Sequence, residues 1–337
     1  MSSKIVHIVS PEKFIPSFIK VIKEYFSVDD HKMIFFSKKS LLYGLESDEN
    51  FLWISKKSQF FELSFLLHRA DKIILHSLFF GRFLIILLLL QPWLLKKCYW
   101  VMWGGDFYFP ERKGRGTKQI IKRIRHFITY LEGDFELVKK WYKAKGERHD
   151  CFMYPSNLFK EVPKLDKVNS DNTINIMIGN SADPSNNHIE ILEKLSKFKD
   201  KNISIYAPLS YGDNTYAKLV AAKGKNMFVE KFIPLTEFMD NEKYIQFLNN
   251  IDVAIFAHNR QQAMGNIISL LGMGKKVYMR NDITPWTLFG EIGVKVFDFN
   301  SIDLVPIKSE VMNENIKIIK SYFSKENYLT QLVKIFD

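Results

Sequence analysis

The stretch INIMIGNSADPSNNH, residues 174–188, decides how this sequence folds. Residues 174–178 are mostly apolar and shaped like a buried strand, and they run into Gly179, Asn180 and Ser181. Pro184, Ser185 and Asn186 then read as the opening of a helix. Strand, small-residue turn and helix start together aim free backbone N–H groups and the positive end of a helix dipole at an anion. A βα turn capped by Ser or Asn looks the same, and what favours a phosphate seat is a second stretch of that kind about eighty residues later.

That second stretch is NRQQAMGN, 259–266, after the strand-like 253–257 and before an apolar helix at 267–273. Arg260 carries a planar fork suited to phosphate oxygens, while Gly265 and Asn266 sit where a helix start presents its amides. Gln261 and Gln262 between a strand and a helix do not read as core. A third segment, YAPLSYGD at 206–213, carries Tyr211 past another strand. It lines a sugar or base pocket, or it is plain turn chemistry, since Pro, Ser, Gly and Asp are turn formers.

Outward from these loops, strand-like runs at 4–9, 33–36, 73–76, 99–103 and 127–131 alternate with helical ones at 14–25, 58–69, 78–89 and 135–145. The pattern restarts with strands at 174–178, 203–207, 227–229, 253–257 and 276–279. Alternation of this kind predicts α/β architecture with parallel sheets and right-handed crossovers. The chain of 337 residues suits two domains: a Rossmann-like domain over 1–157, a linker at 158–173, a second Rossmann-like domain over 174–310, and C-terminal helices at 311–337 packing back on the first. Ligands are expected at the carboxyl ends of the strands, in a cleft between the domains.

In the first half, WVMWGGD at 100–106 runs from a strand into two glycines and a carboxylate. Asp106 there accepts a proton from a hydroxyl at the rim of the sheet, or caps the next segment. His76 closes the preceding strand and ranks below Asp106 as a base, because a lone His after an apolar run is more often structural. The two cysteines, Cys98 and Cys151, lack paired spacing, so neither a disulfide framework nor a zinc site is expected.

Lys and Arg outnumber Asp and Glu, 48 to 37, for a net charge of +11. Such an excess favours an acidic partner: nucleic acid, anionic lipid or a phosphorylated substrate. The aromatics lie in apolar runs and are not interleaved with basic residues, which argues against nucleic acid. Arg112, Lys113, Arg115, Lys118, Lys122, Arg123 and Arg125 concentrate the charge beside the Asp106 loop, with only Glu111 among them, and predict attachment to an anionic membrane surface. The apolar run at 83–90 is too short to span a bilayer, and residues 79–95 read as a core helix or as one whose outer face rests on lipid, with burial favoured because a helix apolar all round is usually covered by protein. The N-terminus shows no export signal.

WVMWGGDFY, MIGNSADPSNNHI, PLSYGDNTY, RQQAMGN and the following Pro285-Trp286 resemble, in the same order, the motifs of the family-56 glycosyltransferases. The resemblance implies a GT-B fold whose second domain binds a dTDP-sugar, with 4-acetamido-4,6-dideoxygalactose (Fuc4NAc) as the sugar. It implies that the first domain receives a polyprenyl-diphosphate-linked saccharide at the cytoplasmic face of the bacterial inner membrane, in enterobacterial common antigen or O-antigen synthesis. Carried over to this sequence, Gly179, Asn180, Ser181, Asp183, Ser185, Asn186 and His188 match one donor motif, and Arg260, Gln261, Gln262 and Gly265 the other. His76, Trp103, Gly104, Asp106 and Tyr108 match on the acceptor side, while Gly105 and Asn266 depart from the pattern. No Asp-x-Asp doublet stands at a strand end, so the expected mechanism uses no metal and no cofactor. Asp106 deprotonates the acceptor if the reaction inverts and orients it if the reaction retains.

Overall fold

The computed structural model describes residues 4–36, 42–79, 81–161 and 172–337. The chain divides into two compact units, Met1–Asn157 with Lys325–Asp337, and Leu158–Ser324. The expected linker at 158–173 falls partly at 162–171, outside the described residues.

The first unit contains β1 (Ile5–Val9), α1 (Ile15–Tyr25), β2 (His31–Phe35), β3 (Phe51–Trp53), α2 (Phe60–Arg69), β4 (Lys72–His76), α3 (Arg82–Leu90), β5 (Cys98–Val101), α4 (Arg115–Arg123), β6 (His126–Ile128), α5 (Glu132–Tyr142) and β7 (Glu147–His149). The second runs β8 (Ile174–Ile178), α6 (His188–Leu195), β9 (Ile203–Pro208), α7 (Asn214–Phe228), β10 (Phe232–Leu235), α8 (Asn241–Asn250), β11 (Val253–Phe256), α9 (Met264–Gly272), β12 (Lys276–Met279), α10 (Thr284–Glu291), β13 (Phe297–Asp298) and α11 (Ser309–Tyr322). The last helix, α12 (Lys325–Phe336), returns to the first unit.

Every strand pairing is parallel, in the orders β3-β2-β1-β4-β5-β6-β7 and β10-β9-β8-β11-β12-β13. Strands covered on both faces read as continuous apolar runs, and β1 and β11 are buried at every residue. Each sheet reverses its winding once, between β1 and β4 in the first and between β8 and β11 in the second. Loops leaving the carboxyl ends of strands beside such a reversal diverge and leave a crevice.

Several expectations shift. Residues 227–229 are not a strand: Met227 and Phe228 end α7, and the edge strand forms three residues later at β10. The segment MFVEKFIPL holds two apolar runs, and the helix takes the first so that Phe228 and Phe232 share one core. β3, β7 and β13 are two or three residues long, too short for periodicity to reveal them. The helix α3 is not covered all round; Leu84, Leu87 and Leu88 are buried, but Ile86 is 52% and Leu90 65% exposed. Of the helices expected over 311–337, α11 belongs to the second unit and α12 to the first. Cys98 and Cys151 are free and buried.

Side chains fix α12 in place. Phe152 N–H donates to Gln331 Oε1 at 3.0 Å, Tyr328 hydroxyl donates to the Met153 carbonyl at 2.9 Å, and Lys72 Nζ donates to the Ile335 carbonyl at 3.0 Å. Gln331→Leu would leave the buried Phe152 N–H without an acceptor, a loss of about 1–3 kcal/mol. A lowered urea midpoint measured by circular dichroism is the expected outcome, and an unchanged midpoint would show the bond to be dispensable.

Candidate active site

In the second unit the three loops singled out in the sequence leave the carboxyl ends of β8, β9 and β11, beside the reversal point. The first is not the simple strand-to-helix turn expected. Pro184–Asn186 makes one 3-10 turn, Asn187 adopts a left-handed conformation at φ 52°, and α6 begins only at His188. Asp183 caps the short turn by accepting from Ser185 N–H at 2.8 Å.

This shape is held by the side chain of Asn186, which is fully buried. Its Oδ1 accepts from the Asn180 amide at 2.9 Å and lies 2.9 Å from His258 Nε2. Its Nδ2 donates to Ser181 Oγ at 3.2 Å and to the Asp183 carbonyl at 3.0 Å. Gly179 sits at φ +62°, and a Cβ there would lie 2.5 Å from His188 Nε2 and 2.7 Å from Asn186 Oδ1. Asn186, Ser181, His188 and Gly179 are therefore internal supports, whereas Asn180, Asp183 and Ser185 reach the surface. His188 is buried. Burial pulls its pKa down to about 4 against the opposing pull of the Ile178 carbonyl, so the ring is neutral.

The loops are tied to one another. Ser185 Oγ donates to Gln262 Oε1 at 2.8 Å, and Asn187 Nδ2 donates to the Ala257 carbonyl at 2.7 Å. The Tyr211 loop joins through Asn180 Nδ2 to the Tyr211 hydroxyl at 3.3 Å and through Ala182 N–H to the Tyr211 carbonyl at 2.8 Å. Gly212 permits that approach, since a Cβ there would fall 2.7 Å from the Ala182 backbone. Arg260 bends so that Nη1 donates to the Gln261 carbonyl at 3.0 Å, and its charge helps hold Asp183 below the usual carboxylate range. Met264, Gly265 and Asn266 form the first turn of α9. Among the described residues, Asn180 Oδ1 and Gln261 Oε1 are buried acceptors with no partner. The surface thus combines a guanidinium with helix-start amides suited to an anion.

Sequence reasoning missed three groups here. Asn187 and His258 brace the loops, and Tyr244 of α8 hydrogen-bonds Asn266. Asn187 was visible as a polar residue in the first motif and His258 stands just before the second, but Tyr244 comes close only through the crossover of α8.

In the first unit Asp106 is not at the rim. It is 2% exposed, and its carboxylate accepts from Leu78 N–H at 3.1 Å, Trp100 Nε1 at 2.8 Å and Trp103 N–H at 3.2 Å. The glycines turn the chain inward: Gly104 at φ +77° folds the loop back so that its final carboxylate collects donors from the strand end. Burial raises the Asp106 pKa to about 6, with these hydrogen bonds opposing.

His76 is equally enclosed, and burial lowers its pKa to about 3. It belongs to a chain running from His31 Nδ1 to His7 Nε2 (2.8 Å), His7 Nδ1 to His76 Nε2 (3.1 Å) and His76 Nδ1 to the Tyr154 hydroxyl (2.7 Å). Trp103 Nε1 donates to the same hydroxyl at 3.0 Å. A neutral imidazole has one donor and one acceptor, so the three rings set their tautomers together. Tyr108 is also buried and donates to Asp134 at 2.8 Å. Glu12, in the loop after β1, is the missed carboxylate: it is half-buried, and desolvation raises its pKa. Phe14 of that loop packs on Trp103 and Tyr154 with centroids 5.0 and 4.5 Å apart. The signal for Glu12 was the motif VSPEKF, a carboxylate directly after the first strand.

Of the expected basic face, Arg115, Lys122, Arg123 and Arg125 are exposed and Lys118 is partly so. Lys113 is drawn inward, donating to the Gly105 carbonyl at 2.6 Å, and Arg112 lies over Phe109 beside Glu111.

The family described as 4-alpha-L-fucosyltransferase, glycosyl transferase group 56, matches residues 63–332. Among solved structures, a glycosyltransferase from Rickettsia africae ESF-5 superposes with TM-score 0.69 at 15% identity, covering 98% of this chain and 97% of that one. Anabaena Alr3699/HepE, in complex with UDP and glucose, gives TM-score 0.69 at 12% identity, covering 98% of each. WaaG, a glycosyltransferase involved in lipopolysaccharide biosynthesis, gives 0.61 at 9% identity, covering 99% of this chain and 98% of that one. The fold is the GT-B type, two Rossmann-like domains.

Two outcomes test this geometry. Gly179→Ala forces a Cβ into the His188 and Asn186 side chains at positive φ, and a loss of about 1–3 kcal/mol is expected in thermal or urea unfolding. For Asp106, a folded pKa near 6 against an ordinary 3.8 means the folded protein holds the proton more tightly than the unfolded chain. Its contribution to stability is therefore greatest below about pH 4, falls as pH rises to about 6, and is level above that. Urea midpoints of wild type relative to Asp106→Asn should decline across that window; a rise would show that the hydrogen bonds outweigh burial.

Proposed function

We propose that this chain, which belongs to glycosyl transferase group 56, moves 4-acetamido-4,6-dideoxygalactose or a similar amino-deoxy sugar from a dTDP donor to a polyprenyl-diphosphate-linked saccharide. The observation that carries this reading is the convergence of the Asn180, Tyr211 and Arg260 loops beside the reversal between β8 and β11. Breaking the bond between sugar and diphosphate leaves negative charge on the departing nucleotide, and preformed donors lower that barrier most. Arg260 and the amides of the first α9 turn are those donors, and no metal is required in this reading.

On the acceptor side, a base must stand at the surface and hold a pKa above that of an ordinary carboxylate. Both Glu12 and Asp106 have a raised pKa, but Glu12 is partly exposed, whereas the Asp106 oxygens are taken up inside the protein. In an inverting transfer Glu12 takes the acceptor proton, and Asp106 and His76 position the Trp103 and Tyr154 surface beside it.

The same unit carries a face suited to the cytoplasmic leaflet of the bacterial inner membrane, the localisation we propose. Phe61 and Phe65 of α2 are 82% and 57% exposed, and Ile86 and Leu90 of α3 and Trp93, just past its end, are exposed as well. The two helices are joined by Ser64 to Gln91 and by His68 to Trp93, and α4 packs beside α3 with Gly116 against Ile85 and Leu89. Exposed aromatics flanked by the basic α4 match an interfacial anchor, each basic group contributing about 1 kcal/mol near anionic lipid. Among the described residues no helix is long and apolar enough to cross a membrane.

The deciding assay offers dTDP- and UDP-linked sugars with a lipid-diphosphate oligosaccharide and detects product by mass. Transfer from the dTDP amino-deoxy sugar is expected; transfer only from a UDP sugar would replace the donor, and none from any would sink the reading. Arg260→Ala should raise the donor KM about 10–100-fold, the loss of a charged hydrogen bond. Glu12→Gln should lower kcat with donor KM retained. Lys122→Glu with Arg123→Glu should reduce sedimentation with anionic liposomes while leaving turnover on a soluble acceptor analogue intact.

A further inference from the structure

We propose that His126, Glu147 and His149, at the edge of the first unit's sheet, form a binding site for a divalent transition metal of the zinc type. Strand register places the three together. His126 and Glu147 are register partners on β6 and β7, as are Ile128 and His149, and alternate residues of a strand share a face. Gly146 lets β7 come in closely enough, since a Cβ there would lie 2.3 Å from the Arg125 carbonyl oxygen. Arg148, between the two ligands in sequence, turns to the other face and pairs with Glu132 and Asp150.

Three ligand atoms converge. His126 Nδ1 is 2.8 Å from Glu147 Oε1 and 3.0 Å from His149 Nε2, and His149 Nε2 is 3.7 Å from the same Oε1. A tetrahedral zinc with bonds of roughly 2.0–2.2 Å holds its ligand atoms about 3.3 Å apart, close to the mean of these three separations. An ion at that bond length from all three sits roughly 0.8 Å above their plane, as a tetrahedral centre with an open fourth position does.

The orientation of the rings is also prepared. His126 makes a hydrogen bond to the Lys96 backbone, the kind of outer partner that fixes a ligating imidazole, and its ring stacks on Tyr99 with centroids 4.1 Å apart at 7°. His126 Nδ1, His149 Nε2 and Glu147 Oε1 face a shared point, and a cation there would take the place of the hydrogen bond that His126 now makes to Glu147. The histidines are partly buried and the Glu147 side chain is 67% exposed, so the site is open to solvent on the carboxylate side. Lys72, the nearby cation, is held by the Ile335 carbonyl at 3.0 Å and lies over Tyr99. A metal here would fasten the three-residue edge strand β7 to β6, with His149 in the same register row as Ile128 and Val101 at the carboxyl ends of their strands.

The test uses untagged, chelator-treated full-length protein titrated with Zn2+ in competition with a chromophoric chelator. One zinc per chain is expected, with a rise in melting temperature that tracks zinc concentration. His126→Ala, His149→Ala and Glu147→Gln should each weaken binding at least about tenfold, and His68→Ala, an exposed histidine elsewhere on the unit, should not. Failure of wild type to bind zinc, or undiminished binding by His149→Ala, would overturn the site. Because a variant that misfolds would also lose zinc, anomalous scattering from a zinc-soaked wild-type crystal supplies the second reading: a peak among these three side chains supports the proposal, and a peak elsewhere or none rejects it.

Discussion

One buried carboxamide carries most of the donor-side geometry. Asn186 satisfies an amide of the first loop, a hydroxyl, a carbonyl and the imidazole of His258 from the neighbouring strand's loop, so two chain segments more than seventy residues apart share a single fixed hub. A half-satisfied polar hub in a dry interior is costly, and a fully satisfied one rigidifies what surrounds it. The rigidity matters because electrostatic stabilisation of a leaving group depends on donors already in place when charge develops. Gly179 is subordinate to this hub, its hydrogen occupying the only space that Asn186 and His188 leave.

The first unit uses the same device with a different group. Asp106 gathers N–H groups from Leu78, Trp100 and Trp103, joining the loops after β4 and β5 on one side of its own reversal point. That arrangement explains why a carboxylate in a glycine-rich loop is a poor candidate base here: its lone pairs are spent within the protein. Glu12, half-buried and with its pKa raised by desolvation, is the carboxylate we propose as the base in its place. The histidine chain behind Tyr154 is a further internal network, and burial keeps its members uncharged.

The membrane-facing reading joins two features that are weak apart. Exposed apolar residues on α2 and α3 are unfavourable in water, and a run of basic residues alone is commonly a solvated face. Adjacent helices put the two side by side, where, in the attachment we propose, burial in the headgroup region and attraction to anionic lipid would act together. The unequal exposure of α3 is what separates this reading from a buried helix.

The alternation of apolar runs and helices was enough to predict two parallel α/β halves, because period and run length report directly on burial. The motifs at 174–188 and 259–266 were likewise legible as loops at strand ends, since Gly, Asn, Ser and Pro there have few other uses. What sequence order does not contain is which side chains turn inward. Asn186 and His188 look like ligands and are supports, Asp106 looks like a rim carboxylate and is enclosed, and Glu12 looks incidental and stands at the surface. Those assignments rest on contacts across dozens of residues, such as Asn186 with His258 and Asp106 with Leu78. Local composition dictates the strands, helices and turns; the sharing of buried polar partners between distant loops exists only once the sheets have assembled.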